Sequence, residues 1–139
     1  MDRIREMLIS DYDMAIDLWK RTEGMGLSEA DSRESINDYL NRNHGMSFVY
    51  TDDQDKVVGT ILCGHDGRRG YIYHLAVSKE HRGKSIGKQL VESSLKKLKE
   101  EGIMKCHIMV IADNEIGKRF WKTTGWDLRK GILLYSSNT

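Results

Sequence analysis

Apolar and polar side chains change period repeatedly along the chain, and each change marks an element. The opening Arg3-Ile-Arg-Glu-Met-Leu8 alternates charged and apolar residues, the period of a half-buried strand. From Asp11 onward Ala15, Ile16, Leu18 and Trp19 recur at helical spacing. Ser28 with Asp31 reads as the capping box of a second helix, which carries Ile36, Tyr39 and Leu40 and ends near Gly45. Met46 to Thr51 and Lys56 to Cys63 then predict two strands joined through the acidic turn Asp52-Asp53-Gln54-Asp55, a hairpin.

The next turn, Gly64 to Gly70, centres on Asp66-Gly67. Tyr71 to Val77 is apolar nearly throughout, as suits a central strand covered on both faces. Between Lys84 and Glu101, Ile86, Leu90, Val91, Leu95 and Leu98 form one stripe opposite Lys88, Glu92, Lys96, Lys99 and Glu100, with Gly102 as C-cap. Met104 to Ile111 predicts another buried strand. Asp113 and Asn114 cap a short helix through Ile116, Phe120 and Trp121 that stops at Gly125, and Ile132 to Tyr135 supplies a last strand. Hairpins early and strand-to-helix crossovers late predict an α/β domain whose sheet is antiparallel first and partly parallel afterwards.

Composition narrows the possibilities. A chain of 139 residues has room for one domain, 1–139, that buries roughly two thirds of its unfolded surface. Its 22 Lys and Arg against 21 Asp and Glu leave a net charge of +1, without the basic excess that nucleic-acid or membrane-surface binding requires. Apolar runs such as Ile108 to Ala112 fall far short of the roughly 20 residues of a membrane helix, and the charged start is unlike a signal peptide, so a cytoplasmic protein is expected. Cys63 and Cys106, each inside an apolar stretch, read as reduced buried thiols. The histidines at 44, 65, 74, 81 and 107 have no metal-ligand spacing, so no metal is expected.

The stretch that carries chemistry runs from His74 to Leu90, where a buried strand feeds a basic, glycine-bearing loop that opens a helix. Free N–H groups at a helix N-terminus cradle anions, glycines let the backbone approach, and Arg82, Lys84 and Lys88 add charge. Residues 78–85, Ser-Lys-Glu-His-Arg-Gly-Lys-Ser, come close to a nucleoside-triphosphate loop, but Ser78 stands where its first glycine belongs and no acidic partner for magnesium follows a strand.

The same residues resemble the acetyl-coenzyme A loop of the GNAT (GCN5-related) N-acetyltransferases, [QR]-x-x-G-x-[GA] after an apolar strand. Arg82 and Gly87 match, while Ser85 replaces the middle glycine. Asn114-Glu-Ile-Gly-Lys-Arg-Phe-Trp-Lys-Thr-Thr-Gly-Trp126 is similar to the family's second signature, in which Asn starts a helix and F-Y-x-x-x-G-F ends it. The resemblance extends over essentially the whole chain. It implies a mixed, mostly antiparallel sheet splayed between its fourth and fifth strands and flanked by about four helices. The implied activity is transfer of acetyl from acetyl-CoA to a primary amine by direct attack in a ternary complex, with a non-catalytic acyl-CoA-binding module as the alternative.

Residue by residue, the resemblance assigns Leu75, Ala76 and Val77 to the pantetheine arm and Arg82, Gly83, Lys84, Ser85, Ile86, Gly87 and Lys88 to the pyrophosphate. A backbone N–H near Leu75 or Ala76 would polarise the thioester carbonyl. Asn114 would bond the pantetheine or cap its helix, with Lys118 and Trp121 beside it. The family's proton-donating tyrosine is Trp121 here, whose indole gives up no proton at neutral pH; Tyr73, Tyr135 or water would donate instead. Positions that often hold a basic glutamate carry Tyr71 and Met109, leaving His74, then Glu23, as candidate bases. Deprotonating a lysine-like amine at pH 7 costs about 4.6 kcal/mol and an α-amine about 1, so a site without a strong base suits low-pKa amines. Trp19, Glu23, Met25, Tyr39, Tyr50 and Tyr135 are candidates to line the pocket of a small-molecule or peptide amine, in a monomer or homodimer.

Overall fold

Alternation at the start of the chain does produce a strand, β1 (Ile4–Glu6), and the helical spacing after it produces α1 (Tyr12–Lys20). The structure is a computed structural model that describes residues 3–139 in two compact units, one running to Met109 and one from Val110 to Thr139. The first unit continues with α2 (Arg33–Arg42), β2 (Phe48–Thr51), β3 (Val57–His65), β4 (Gly70–Val77), α3 (Ile86–Glu100) and β5 (Cys106–Ile108). Its sheet runs in the order β1-β2-β3-β4-β5, antiparallel at each pair except the parallel β4–β5. No helix among the described residues is long and apolar enough to cross a membrane.

Two helix layers bury the sheet. Ala15, Leu18 and Trp19 of α1 and Ile36 of α2 pack with Val49, Val57, Leu62 and Ala76. Alternate residues of β3 turn the other way, as the pleat requires, and meet α3. Gly59 lies under Ile86 and Leu90, and a Cβ at Gly70 would come within 2.6 Å of Leu98, so the sequence keeps glycine where α3 presses closest. The buried Ser94 hydroxyl of α3 donates to the Met46 carbonyl at 2.9 Å.

Turn chemistry follows the sequence closely. Asp52 accepts the N–H groups of Gln54 and Lys56 in the β2–β3 hairpin, and Asp66 accepts those of Arg68 and Arg69 before β4. Four expectations are corrected. The Ser28–Asp31 capping box closes a separate 3₁₀ turn, Glu29–Asp31, and α2 takes Ser32 as its own N-cap. Of Met104 to Ile111 only Cys106–Ile108 forms a strand, half-buried rather than buried, because Met104 and Met109 point into solvent at the sheet's edge. Cys63 is buried but Cys106 only partly so, and both are free thiols. Ile132 to Tyr135 forms no strand: its four side chains are 65–87% exposed, and β propensity without a face to bury does not order a strand.

One buried charge fixes how β1 meets α1. The carboxylate of Asp11 receives both Arg5 guanidinium nitrogens, at 2.7 and 2.8 Å, and the Leu8 N–H at 2.9 Å. Desolvation works against the charge, but these three donors outweigh it and hold the carboxyl below its ordinary value. A lowered folded pKa makes the contribution complete above the ordinary carboxylate range and lost as pH falls through the folded value. Asp11→Asn is expected to cost about 2 kcal/mol at pH 7, since it leaves Arg5 and one N–H without their anion. Thermal melts at pH 7 and pH 3 test this, with the gap between variant and parent closing at the lower pH.

Candidate active site

β5 pairs with β4 only at Gly70, Tyr71 and Ile72. Beyond Ile72 the fourth strand continues to Val77 with β3 on one side and no β5 register on the other. An extended ligand can add to a strand edge of this kind.

The register between β3 and β4 slips at the same place. Thr60 faces Ala76 and Leu62 faces Tyr73, so Ile61 alone spans His74 and Leu75, a bulge with its extra residue on β4. His74 absorbs it with φ of +49°, in the left-handed region that costs a side-chain-bearing residue about 1 kcal/mol. A short relay holds this geometry. The Trp19 indole N–H donates to Thr60 Oγ1 at 2.8 Å, and that hydroxyl donates to the His74 carbonyl at 2.9 Å. Across a trans peptide the Leu75 N–H points opposite to that carbonyl, away from Thr60.

The bulge also puts two successive side chains on the α1–α2 side, where a regular strand would alternate. Tyr73 meets the edge of the Tyr39 ring at 6.3 Å, and the His74 imidazole lies 4.6 Å from the Trp19 ring. His74 Nε2 is 2.5 Å from Asp31 Oδ1. Burial pushes the Tyr73 and Tyr39 phenols up, and the Tyr39 hydroxyl is enclosed without a hydrogen-bond partner among the described residues.

Past Val77 the chain makes a 3₁₀ turn, Lys79–His81, and reaches α3 through Arg82 to Ser85. Gly83 has φ of +80° with open space where a Cβ would stand, and Ser85 follows at φ +63°. Among the described residues no side chain caps the α3 N-terminus, so its first N–H groups face outward with the positive end of the helix behind them. Arg82 donates through Nε to the Val77 carbonyl at 3.1 Å and through Nη1 to Glu23 at 2.7 Å. This guanidinium holds the Glu23 carboxyl below its usual range, with Lys79 3.9 Å away. Glu23 is thus engaged with two cations, a poor position for a base.

Comparisons with known proteins identify the family and the fold. The sequence model of the acetyltransferase (GNAT) family matches residues 12–126. The chain belongs to the GNAT acetyltransferase family. It is 30% identical over 131 residues to an acetyltransferase of Sodalis glossinidius, covering 94% of this chain and 91% of that one. The PaiA N-acetyltransferase of Thermoplasma acidophilum, in complex with coenzyme A, superposes with a TM-score of 0.80 at 23% identity, covering 93% and 91%. An aminoglycoside acetyltransferase from an uncultured soil metagenomic sample, in complex with sisomicin, gives 0.75 at 18%, covering 98% and 95%. Acetyl-CoA is accordingly the co-substrate of this GNAT enzyme, and the splayed fourth and fifth strands are those of its fold.

The structure brings Tyr73, His74, Leu75, Ala76 and Val77 together on β4 and Arg82 to Lys88 at its end. In the second unit Asn114 Oδ1 accepts the Gly117 N–H at 3.0 Å and so caps α4 (Glu115–Thr123). Lys118 donates to the Ala112 carbonyl and to Glu115, and Trp121 stacks edge-on with Phe120 and Trp126. Tyr135 lies in the irregular tail, 87% exposed. Trp19, a candidate pocket residue, is a core residue at 1% exposure that reaches the site through Thr60 and through its ring contact with His74. Sequence reasoning missed Thr60 and the pairing of Asp31 with His74, which lies 43 residues away. Asp31 had already been assigned as a cap, and no periodicity links the two positions.

Ser85 carries the site's sharpest test. Its left-handed backbone points a Cβ from a turn built for glycine, so Ser85→Gly is expected to raise stability by about 1 kcal/mol, about 4 °C in Tm. Acetyl-CoA affinity in the same variant should be equal or tighter by isothermal titration. A clear loss would show that the hydroxyl itself contacts phosphate.

Proposed function

We propose that residues 1–139 form one catalytic domain that transfers acetyl from acetyl-CoA to a primary amine by direct attack in a ternary complex. The observation that carries this reading is the continuity of β4's open edge with the uncapped start of α3. The edge suits an extended amide-bearing arm and the helix start suits a diphosphate, in the order in which coenzyme A presents them. Leu75, Ala76 and Val77 take the arm; Arg82, Gly83, Lys84, Ser85, Ile86, Gly87 and Lys88 take the diphosphate. Asn114, Lys118 and Trp121 remain proposed contacts, although the first is engaged as a cap and the second with Glu115.

Bound acetyl-CoA supplies an activated acetyl group on sulfur. The protein's part is to hold and polarise it and to manage protons. The Leu75 N–H, turned out by the Thr60 relay, donates toward the acetyl carbonyl oxygen. His74, on the bulge beside it, takes the amine's proton. With Trp121 unable to donate, the departing sulfur gains its proton from Tyr73, Tyr135 or water. A thiol of pKa about 8.5 leaves readily enough to make the donor's identity secondary. The acceptor is a small molecule or peptide bearing a primary amine. The similar fold in complex with sisomicin supports the small-molecule class.

Isothermal titration of acetyl-CoA, CoA and ATP, followed by thiol release against a panel of amines, tests the proposal. Micromolar affinity for acetyl-CoA, weak affinity for ATP and turnover on at least one amine are expected. Binding without turnover on any amine would favour the acyl-CoA-binding module, and absence of CoA binding would refute the assignment of the loop.

A further inference from the structure

Asp31 is placed to do two things at once. Its Oδ2 accepts the Ser28 N–H at 2.9 Å, closing the 3₁₀ turn, while Oδ1 lies 2.5 Å from His74 Nε2. Both side chains are largely withdrawn from solvent, at 11% and 12% exposure. The Asp31 carbonyl accepts the Tyr12 hydroxyl at 2.6 Å, which ties this turn to α1. The carboxylate is therefore held in place by groups independent of the histidine. An ionised carboxylate only accepts hydrogen bonds, so the imidazole nitrogen facing it must carry the proton.

From this we infer that Asp31 is a positioning residue that fixes His74 as the Nε2–H tautomer and leaves the Nδ1 lone pair as the atom that takes the amine's proton. The inference rests on the reading of His74 as base. When the amine nitrogen bonds to the acetyl carbon and the carbon–sulfur bond breaks, the amine's proton passes to Nδ1. The sulfur leaves as thiolate and takes a proton from solvent or Tyr73. The resulting imidazolium keeps its Nε2–H on Asp31, where the carboxylate offsets its positive charge, and returns the Nδ1 proton to solvent. The Thr60 hydroxyl holds the His74 backbone and the Trp19 ring lies against the imidazole, which together keep Nε2 on Asp31.

The tautomer is directly observable. Long-range proton–nitrogen correlation spectra of the 15N-labelled protein at pH 8.5 should show His74 protonated at Nε2, its signals identified by their loss in His74→Gln. Asp31→Asn sharpens the test. The asparagine oxygen keeps the Ser28 cap while its NH₂ faces His74, which obliges Nε2 to accept and moves the proton to Nδ1. That variant should lose about 100-fold in kcat/KM on the best amine, the lower end of general-base contributions. Its acetyl-CoA Kd should stay within twofold and its Tm within a few degrees. An Nδ1–H tautomer in the parent protein would overturn the inference with no variant needed, as would full activity in Asp31→Asn. The reading of His74 as base fails separately, if His74→Gln turns over at the parent rate while the parent spectrum still shows Nε2–H.

Discussion

One extra residue in β4 organises the site. A strand that stayed in register with β3 through Val77 would alternate its side chains and send its peptides into the ladder on both sides. The bulge opposite Ile61 interrupts that pattern and places Tyr73 and His74 on the same side. It also turns the peptide after His74 so that its carbonyl meets the Thr60 hydroxyl, which leaves the Leu75 N–H pointing the other way. The left-handed backbone at His74 costs the fold about 1 kcal/mol. Trp19, Thr60 and Asp31 offset that cost from three different elements. Strain of this kind, over-determined by its surroundings, is what pre-organises a site.

The same strand delivers the second half of the site. At its end the chain must reverse into α3, and two of the residues that make the reversal, Gly83 and Ser85, sit at positive φ. Such a path turns backbone N–H groups to one side and leaves the helix start uncapped, so the proposed anion site and the turn are one structure. Arg82 links this turn to the C-terminal end of α1 through Glu23. The pairing orients the guanidinium, neutralises much of its charge and removes Glu23 from the pool of bases.

How much of this was legible depended on the range of the signal. Each helix stripe, the two hairpin turns and the loop from Arg82 into the start of α3 are local patterns, and each appears where the spacing placed it. The bulge was not legible, because Tyr71 to Val77 is apolar without a glycine to mark a break, and histidine tolerates left-handed backbone better than most residues. Asp31 was legible only as a cap, since a carboxylate's second oxygen leaves no trace in spacing. The Ile132–Tyr135 strand was over-read for the converse reason. Its residues have strand propensity, but propensity orders a strand only when a neighbouring surface covers one face, and the four side chains lie in solvent.

In the proposed reaction the histidine–aspartate pair handles one of two protons. A protonated amine must lose its first before attack, because an ammonium nitrogen has no lone pair, and at pH 7 that costs an α-amine about 1 kcal/mol and an alkylamine about 4.6. A base that acts during attack leaves that cost unchanged, so acceptors whose amines arrive neutral are still favoured. The second proton is released as the carbon–nitrogen bond forms, and that is the one His74 takes. Two independent costs in the fold, a left-handed histidine and a carboxylate largely withdrawn from solvent, then serve the same proton transfer.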